Sequence, residues 1–499
     1  MKVLFIYPNL DAQVGFNYGV AFLSACLKQR GHSTALLDIN EQLGFGLDLA
    51  EIRKKITAFA PDLIGFSVVT NQYRFAREIA RDIKSYCDAP TICGGIHPTM
   101  DPEGVLREDC FDYVCVGEGE LAVAELADAL ERGKPTSEIE NIWLKSNGNI
   151  IRNKVRPFVS LESLPRKDYE IFDFQKMTDA KNGWVGIMSS RGCPFSCTYC
   201  FNHRQRELYQ HDLGCSASQL NYIRRHPATD VIEEIETLLS SYKNIETIIF
   251  DDDLFTMDKR YLKEFCGEYR SRVGIPFVCN AHVKAFDEET AGYLKEAGCR
   301  ILKFGLESGS ERVRREILNR RMSNDDIERA FSTAERFGFH TSAFVMIGFP
   351  HETIADVEET IDLLARIKPG RFRWSLFFPY VNTRAYEIAR DGGYIDFDKL
   401  NGLTNFTDES ALDFGPEHNR FLKKLKATFP WHVNARAGFS SSPLYARLLE
   451  QADRIESQDW AEAEKHIIEI DKDISRMLEL SGEPHYGYKY NLFTAVRSH

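Results

Sequence analysis

The chain contains no apolar run approaching the ~18 residues that a membrane-spanning helix requires. Its first residues, Met1-Lys2-Val3-Leu4-Phe5-Ile6-Tyr7-Pro8, hold only five consecutive apolar side chains, too few for a secretory signal. These absences predict a cytoplasmic protein that begins on a strand and spans no membrane. Positive charge is also scarce. The 62 Lys and Arg face 74 Asp and Glu, and the net charge of −12 argues against a nucleic-acid partner. The twelve cysteines show no short-spaced pairing framework, so they read as buried hydrophobes or metal ligands in a reducing compartment. No fixed-period repeat and no low-complexity tract is present. What remains is an ordinary globular balance, 43% hydrophobic and 27% charged over 499 residues, enough for two or three domains.

Short apolar runs alternate with amphipathic segments through residues 1–135. Val3–Tyr7, Ala35–Asp38, Leu63–Ser67, Thr91–Cys93 and Tyr113–Val116 read as strands, with helices such as Val20–Arg30 and Tyr73–Tyr86 between them. The pattern predicts a doubly wound, flavodoxin-like parallel sheet, whose ligands sit outside the carboxyl ends of the strands. Residues 136–180 break the rhythm and read as a linker with a small hairpin around Asn147-Gly148-Asn149. From 181 to 395 the alternation restarts as six strand–helix units, a partial barrel whose chemistry belongs at the strand C-termini. Residues 396–499 read as a helical, aromatic-rich C-terminal domain.

Directly after the first barrel strand comes Arg191-Gly192-Cys193-Pro194-Phe195-Ser196-Cys197-Thr198-Tyr199-Cys200, a C-x3-C-x2-C spacing. Three thiolates on one loop can hold three irons of a cubane cluster, and the lack of a fourth nearby cysteine leaves one iron open. Two other readings are compatible with the spacing. The cysteines could share a helix face as core residues, or bind zinc with His203 as fourth ligand.

The triad, its aromatic Tyr199 and its place in a six-unit barrel resemble the radical S-adenosylmethionine (SAM) superfamily, over roughly Trp184 to Phe378. The resemblance implies a 4Fe-4S cluster on Cys193, Cys197 and Cys200, SAM on the open iron, and cleavage to a 5′-deoxyadenosyl radical. It implies SAM contacts from Tyr199, from Asp252 or Asp253 after the second strand, from Glu307 and Ser308 after the fourth, and from Ile347 and Gly348 at the fifth. The family commonly has Gly-Gly-Glu where this chain has Asp251-Asp252-Asp253. Glu352 and Thr353 follow, and capping alone explains Thr353.

The N-terminal domain resembles the cobalamin-binding domain that precedes many such enzymes. Pro8 and Asn9, Ser67, Val68 and Thr70, then Gly94, Gly95, His97 and Thr99, and finally Gly117, Glu118 and Gly119 close successive strands and are the implied cobalamin contacts. None of the thirteen histidines lies in Asp-x-His-x-x-Gly, so the resemblance implies cobalamin without a histidine ligand. The pairing implies a radical methyltransferase acting on an unactivated carbon of a small molecule, supplied with electrons by a flavodoxin or ferredoxin. A cobalamin-assisted radical oxidation, cyclisation or rearrangement is the alternative chemistry, and a cobalamin-binding regulatory or carrier module is the alternative outside catalysis. No catalytic residue, hydrogen-atom donor or substrate is legible.

Overall fold

The computed structural model describes residues 1–403 and 409–498. The chain divides into two compact units: Met1–Phe195 with Cys200–Asp253 and Tyr380–Thr383, and Ser196–Tyr199 with Leu254–Pro379 and Arg384–His499.

In the first unit, strands β1 (Lys2–Pro8), β2 (Ser33–Ile39), β3 (Leu63–Ser67), β4 (Thr91–Gly94) and β5 (Tyr113–Cys115) pair in parallel in the order 2-1-3-4-5. Val3, Leu4, Phe5, Ile6, Leu63, Ile64 and Phe66 are almost fully buried, as expected of strands covered on both faces. Direction along the sheet reverses between β1 and β3, which opens a crevice at their carboxyl ends. Helix Tyr18–Gln29 starts at Asn17, whose side chain accepts from Val20 N at 3.0 Å.

The segment read as a linker is part of this unit. Strands β6 (Ile142–Ser146) and β7 (Asn149–Ile151) form the expected hairpin, and β6 pairs antiparallel with β5, extending the sheet to seven strands. Lys167 is 7% exposed and donates to both oxygens of Glu234 at 2.7 Å. Strand β8 (Trp184–Ile187) is followed by the two-residue β9 (Ser190–Arg191), which pairs antiparallel with β10 (Arg224–Arg225), while β11 (Thr247–Phe250) pairs parallel with β8.

In the second unit, β12 (Phe277–Ala281), β13 (Cys299–Glu307), β14 (His340–Ile347) and β15 (Arg371–Leu376) run parallel. Alternate residues of these strands are fully buried: Leu302, Phe304 and Leu306; Ala343, Val345 and Ile347; Phe372, Trp374 and Leu376. This face packs on helices. Phe304 meets Phe331 of helix Asn324–Arg336 at 5.1 Å, and Trp374 stacks on Phe429 of helix Pro416–Arg436 at 5.2 Å. The other face, with Lys303, Gly305, Phe344, Arg371 and Arg373, is only half-buried. Helix Asn324–Arg336 opens with a capping box: Ser323 Oγ accepts from Asp326 N, and Asp326 accepts from Ser323 N, both at 3.1 Å.

Residues 396–499 were expected to form a helical domain. Helices Pro416–Arg436, Ser442–Asp453 and Trp460–Leu480 are present, but strands β16 (His485–Lys489) and β17 (Asn491–Ser498) follow as a hairpin. β17 pairs antiparallel with β15. Tyr486 and Tyr488 alternate at the strand period, and Tyr490 sits in the turn. Among the described residues, no helix is long and apolar enough to cross a membrane.

Candidate active site

The cysteine loop leaves β9 through Gly192, whose φ of +93° admits glycine, and where a Cβ would lie 2.4 Å from Tyr222 O. In the first unit, Cys193 and Cys200 are half-buried and both bear electrostatically on Tyr222. Burial and then the charges of Asp253, Cys200 and Cys193 push the Tyr222 phenol well above its ordinary value. Cys200 caps the N-terminus of helix Phe201–Leu213, where the helix dipole favours a thiolate. Asn202 donates to Cys200 Sγ at 3.5 Å and to Asp253 at 3.2 Å, and accepts from Tyr222 Oη. His203 is buried on the first turn of that helix.

In the second unit, the segment Ser196–Tyr199 is pinned by Thr198, whose N and Oγ1 donate to Leu318 O and Ile317 O at 3.1 and 2.6 Å. Cys197 on it is 7% exposed. Arg320 donates to Cys197 Sγ at 3.5 Å, to Tyr199 Oη at 3.2 Å and to Gly305 O at 2.6 Å, and lies 3.9 Å from Glu307. Burial opposes the Arg320 charge, but Tyr199, Glu307 and Cys197 together outweigh it and hold the guanidinium firmly protonated. Glu307 sits in the left-handed region at φ +66°, a conformation that non-glycine residues rarely keep without a reason. Burial raises its carboxyl, and Arg320 offsets part of that.

Other residues expected at SAM have their polar atoms engaged within the protein. Asp252 is fully buried and accepts from Ser189 N at 3.2 Å, Ser189 Oγ at 2.8 Å and Ser190 Oγ, stapling the end of β8. Ser308 is fully buried, with Oγ 3.3 Å from Thr360 Oγ1 and accepting from Ser310 N. Asp253 is exposed. Ile347 ends β14, and Gly348 (φ +81°) donates its N–H to Glu352 at 2.6 Å. Glu352 thus ties the turn, and Thr353 forms a capping box with Asp356.

At the carboxyl end of the first sheet lies a cleft of about 260 Å³. Phe5, Gly65 and Ile92 are in register across β1, β3 and β4 and form its floor. A Cβ on Gly65 would stand 3.1 Å from the Phe5 ring. Leu23 and Val123 wall it, and Ser67, Gly94, Gly95, Gly117, Glu118 and Gly119 line it. Gly95 and Gly117 have φ of +109° and +81°, and a Cβ on them would stand 2.6 Å from Val68 O and 2.2 Å from Tyr209 Oη. The site fits a flat, largely apolar group that slides between backbone surfaces. Its charges are neutralised in place. Glu118 accepts from Arg224 at 2.5 and 2.9 Å and pairs with Arg191 at 3.1 Å, and Arg191 reaches Glu120 at 2.6 Å. Burial raises the Glu118 carboxyl, but the two arginines outweigh it and hold it low.

The remaining residues expected at cobalamin frame the cleft without lining it. Thr99 accepts from Gly117 N at 2.9 Å and donates to Gly95 O at 2.8 Å, fastening two glycine turns together. His97 is buried against the Tyr73 ring at 4.1 Å, and burial lowers its pKa to about 4. Pro8 ends β1; Asn9 donates to Gln13 O at 3.3 Å; Val68 is buried; Thr70 opens a short turn. Sequence reasoning did not single out Arg191 or Arg224 as partners of Glu118, nor Tyr209 behind Gly117, nor Arg320.

A nucleotide-type fold with a glycine cleft, joined to a barrel bearing a three-thiol loop, defines a class of cofactor-loaded radical enzymes. The B12 binding domain model matches residues 11–127, and the Radical SAM superfamily model matches residues 187–364. An uncharacterised methyltransferase of Pyrococcus horikoshii is 30% identical over 86% of this chain and 92% of its own length. The anaerobic magnesium-protoporphyrin IX monomethyl ester cyclase of Rubrivivax gelatinosus is 26% identical over 86% of this chain and 77% of its own. The fold is also that of the radical SAM methyltransferase TsrM from Kitasatospora setae, with a TM-score of 0.63 and 21% identity over 78% of this chain and 76% of that one. The chain belongs to the cobalamin-dependent radical SAM enzymes. Its cofactors are a 4Fe-4S cluster, SAM and cobalamin.

Proposed function

We propose that this enzyme transfers a methyl group to an unactivated carbon of a small molecule. The observation that carries the reading is the thiol loop with no fourth cysteine beside it, with Arg320 reaching both Cys197 and the half-buried Glu307. Cys193, Cys197 and Cys200 hold three irons and leave the fourth for SAM. When bound, the cluster supplies the electron that cleaves SAM to a 5′-deoxyadenosyl radical, and cobalamin supplies a methyl that a carbon radical can take.

The protein's share is positioning and charge. Arg320 orients Cys197, Tyr199 and the Glu307 carboxylate from one rigid fork. Tyr199, Asp253, Glu307, Ile347 and Gly348 are the residues assigned to SAM; Asp252 and Ser308 hold the strand ends that present them. Ser67, Gly94, Gly95, Gly117, Glu118 and Gly119 receive cobalamin, with the Arg191 and Arg224 pairs keeping the cleft electrically neutral. The enzyme works in the cytoplasm with a flavodoxin- or ferredoxin-type donor.

Product mass tests the reading. A candidate substrate should gain one CH2 with release of 5′-deoxyadenosine; an unchanged or oxidised skeleton would instead assign the radical cyclisation or rearrangement that the cyclase relative brings into view. Cys197→Ala should lose iron and form no 5′-deoxyadenosine, and equal release from both proteins would refute the assignment of the loop.

A further inference from the structure

The half-open face of the second unit's sheet carries two arginines, Arg371 and Arg373, that no carboxylate among the described residues neutralises. Lys303, Ser342 and Arg371 are in register across β13, β14 and β15, and one step along, Gly305, Phe344 and Arg373 are in register in the same way. All are on the face opposite the helix-packed Phe304, Ala343, Phe372 and Trp374. Arg371 spends one N–H on Ser342 Oγ at 2.8 Å. Arg373 lies over the Phe344 ring at 5.8 Å. Among the described residues, no carboxylate lies within ion-pair distance of either guanidinium. Burial weakens both charges; on Arg371 the neighbouring Arg373 adds to the effect and only the Tyr490 phenol opposes it, while burial alone acts on Arg373.

Several other buried or half-buried arginines are matched: Arg224 and Arg191 by Glu118 and Glu120, Arg320 by Glu307, Arg312 by Asp356. A desolvated guanidinium without a counter-charge costs folding free energy, and its planar fork is shaped for two oxygens of one oxyanion. We infer that Arg371 and Arg373 form an anion subsite, and that the substrate of this enzyme carries a carboxylate or phosphoryl group which they bind on this face of the sheet. Phe344 between the strands supplies an apolar surface beside that group. The inference rests on the proposed reaction for calling the ligand a substrate, but the subsite is testable without turnover.

The test is thermal unfolding of the anaerobically purified, cofactor-loaded enzyme in sodium phosphate and in sodium malonate, each against sodium chloride of equal ionic strength. At ten times the dissociation constant the wild-type midpoint should rise by about 2 °C. The shift should vanish in Arg373→Met and shrink at least twofold in Arg371→Gln, whose remaining fork still offers one contact set. A response to phosphate alone assigns a phosphoryl substrate, to malonate alone a carboxylate, and to both an oxyanion of either kind. Without added anion, Arg373→Met should unfold no lower than wild type, because it removes an uncompensated charge. No shift in wild type, an equal shift in Arg373→Met, or a midpoint several degrees lower in that variant without anion would each overturn the subsite. Failure of methyl transfer in the product-mass experiment would leave this equilibrium result standing, so the two claims fall separately.

Discussion

The cleft on the first sheet and the open face of the second treat charge in opposite ways. Around the cleft every carboxylate that faces inward has an arginine, and the space itself is made by removing side chains at Gly65, Gly95 and Gly117. On the open face the side chains are long, cationic and unmatched at Arg371 and Arg373. The first is a completed receptor whose shape selects the ligand. The second is electrostatically incomplete, and its missing charge identifies what it binds.

Four perturbations break or sharpen this contrast. The largest concerns one acid of each unit, the two being pushed in opposite directions. Glu118 is held low by arginines, whereas burial lifts Glu352 to about 8 against the N–H groups of Gly348 and Phe349. Between an ordinary glutamate value and about 8, the native state keeps a proton that the unfolded chain has lost. Glu352 therefore costs stability progressively as pH rises through that window, on the order of 5 kcal/mol in all. Glu118 acts the other way, its contribution being lost as pH falls toward its native value. Urea midpoints of Glu352→Gln at pH 5 and pH 9 should lie much closer together than those of wild type; an unchanged separation would remove Glu352 from the account.

Next, Arg224→Met leaves Glu118 with Arg191 alone and should destabilise by about 3 kcal/mol, much of it restored when Glu118→Gln is added. A double-mutant cycle on denaturant midpoints reads this, and additive losses would show that the pair is not coupled. Third, Gly117→Ala forces a Cβ into the left-handed region and against Tyr209 Oη. It should cost about 2 kcal/mol and lower the cobalt bound per chain while iron is retained. Cobalt content at the wild-type level would mean that the glycine serves the turn and not the cofactor. The smallest effect is the counterpart of the second: Arg373→Met, an arginine with no partner, should change stability by no more than about 0.5 kcal/mol.

Much of the architecture was legible because it depends on local patterns. Apolar strands between amphipathic helices announced both sheets, and Gly94-Gly95 and Gly117-Glu118-Gly119 announced the mouth of the cleft. The cysteine triad was legible because its chemistry needs closely spaced thiols. Long-range matches left no such trace. Arg320 is 123 residues from Cys197, and Arg224 is 106 from Glu118, so nothing near either arginine in the chain points to its partner. Asp252 and Asp253 illustrate the same limit. They are adjacent and alike in sequence, yet Ser189 and Ser190 draw one into the interior while the other stays exposed. The C-terminal hairpin was missed because the helical pattern of the preceding segments was extended over its short strands, in which only Tyr486 and Tyr488 show the two-residue period.

That hairpin bears on how the enzyme is made. β17 covers the edge of β15, pairing Arg371, Phe372 and Arg373 with Val496, Ala495 and Thr494. During synthesis, β15 emerges well over a hundred residues before the segment that will cover it, so its row of free backbone donors and acceptors stays open throughout that interval. The nascent barrel therefore depends on a strand made long after its own, and removing β17 would act on solubility before it acted on chemistry.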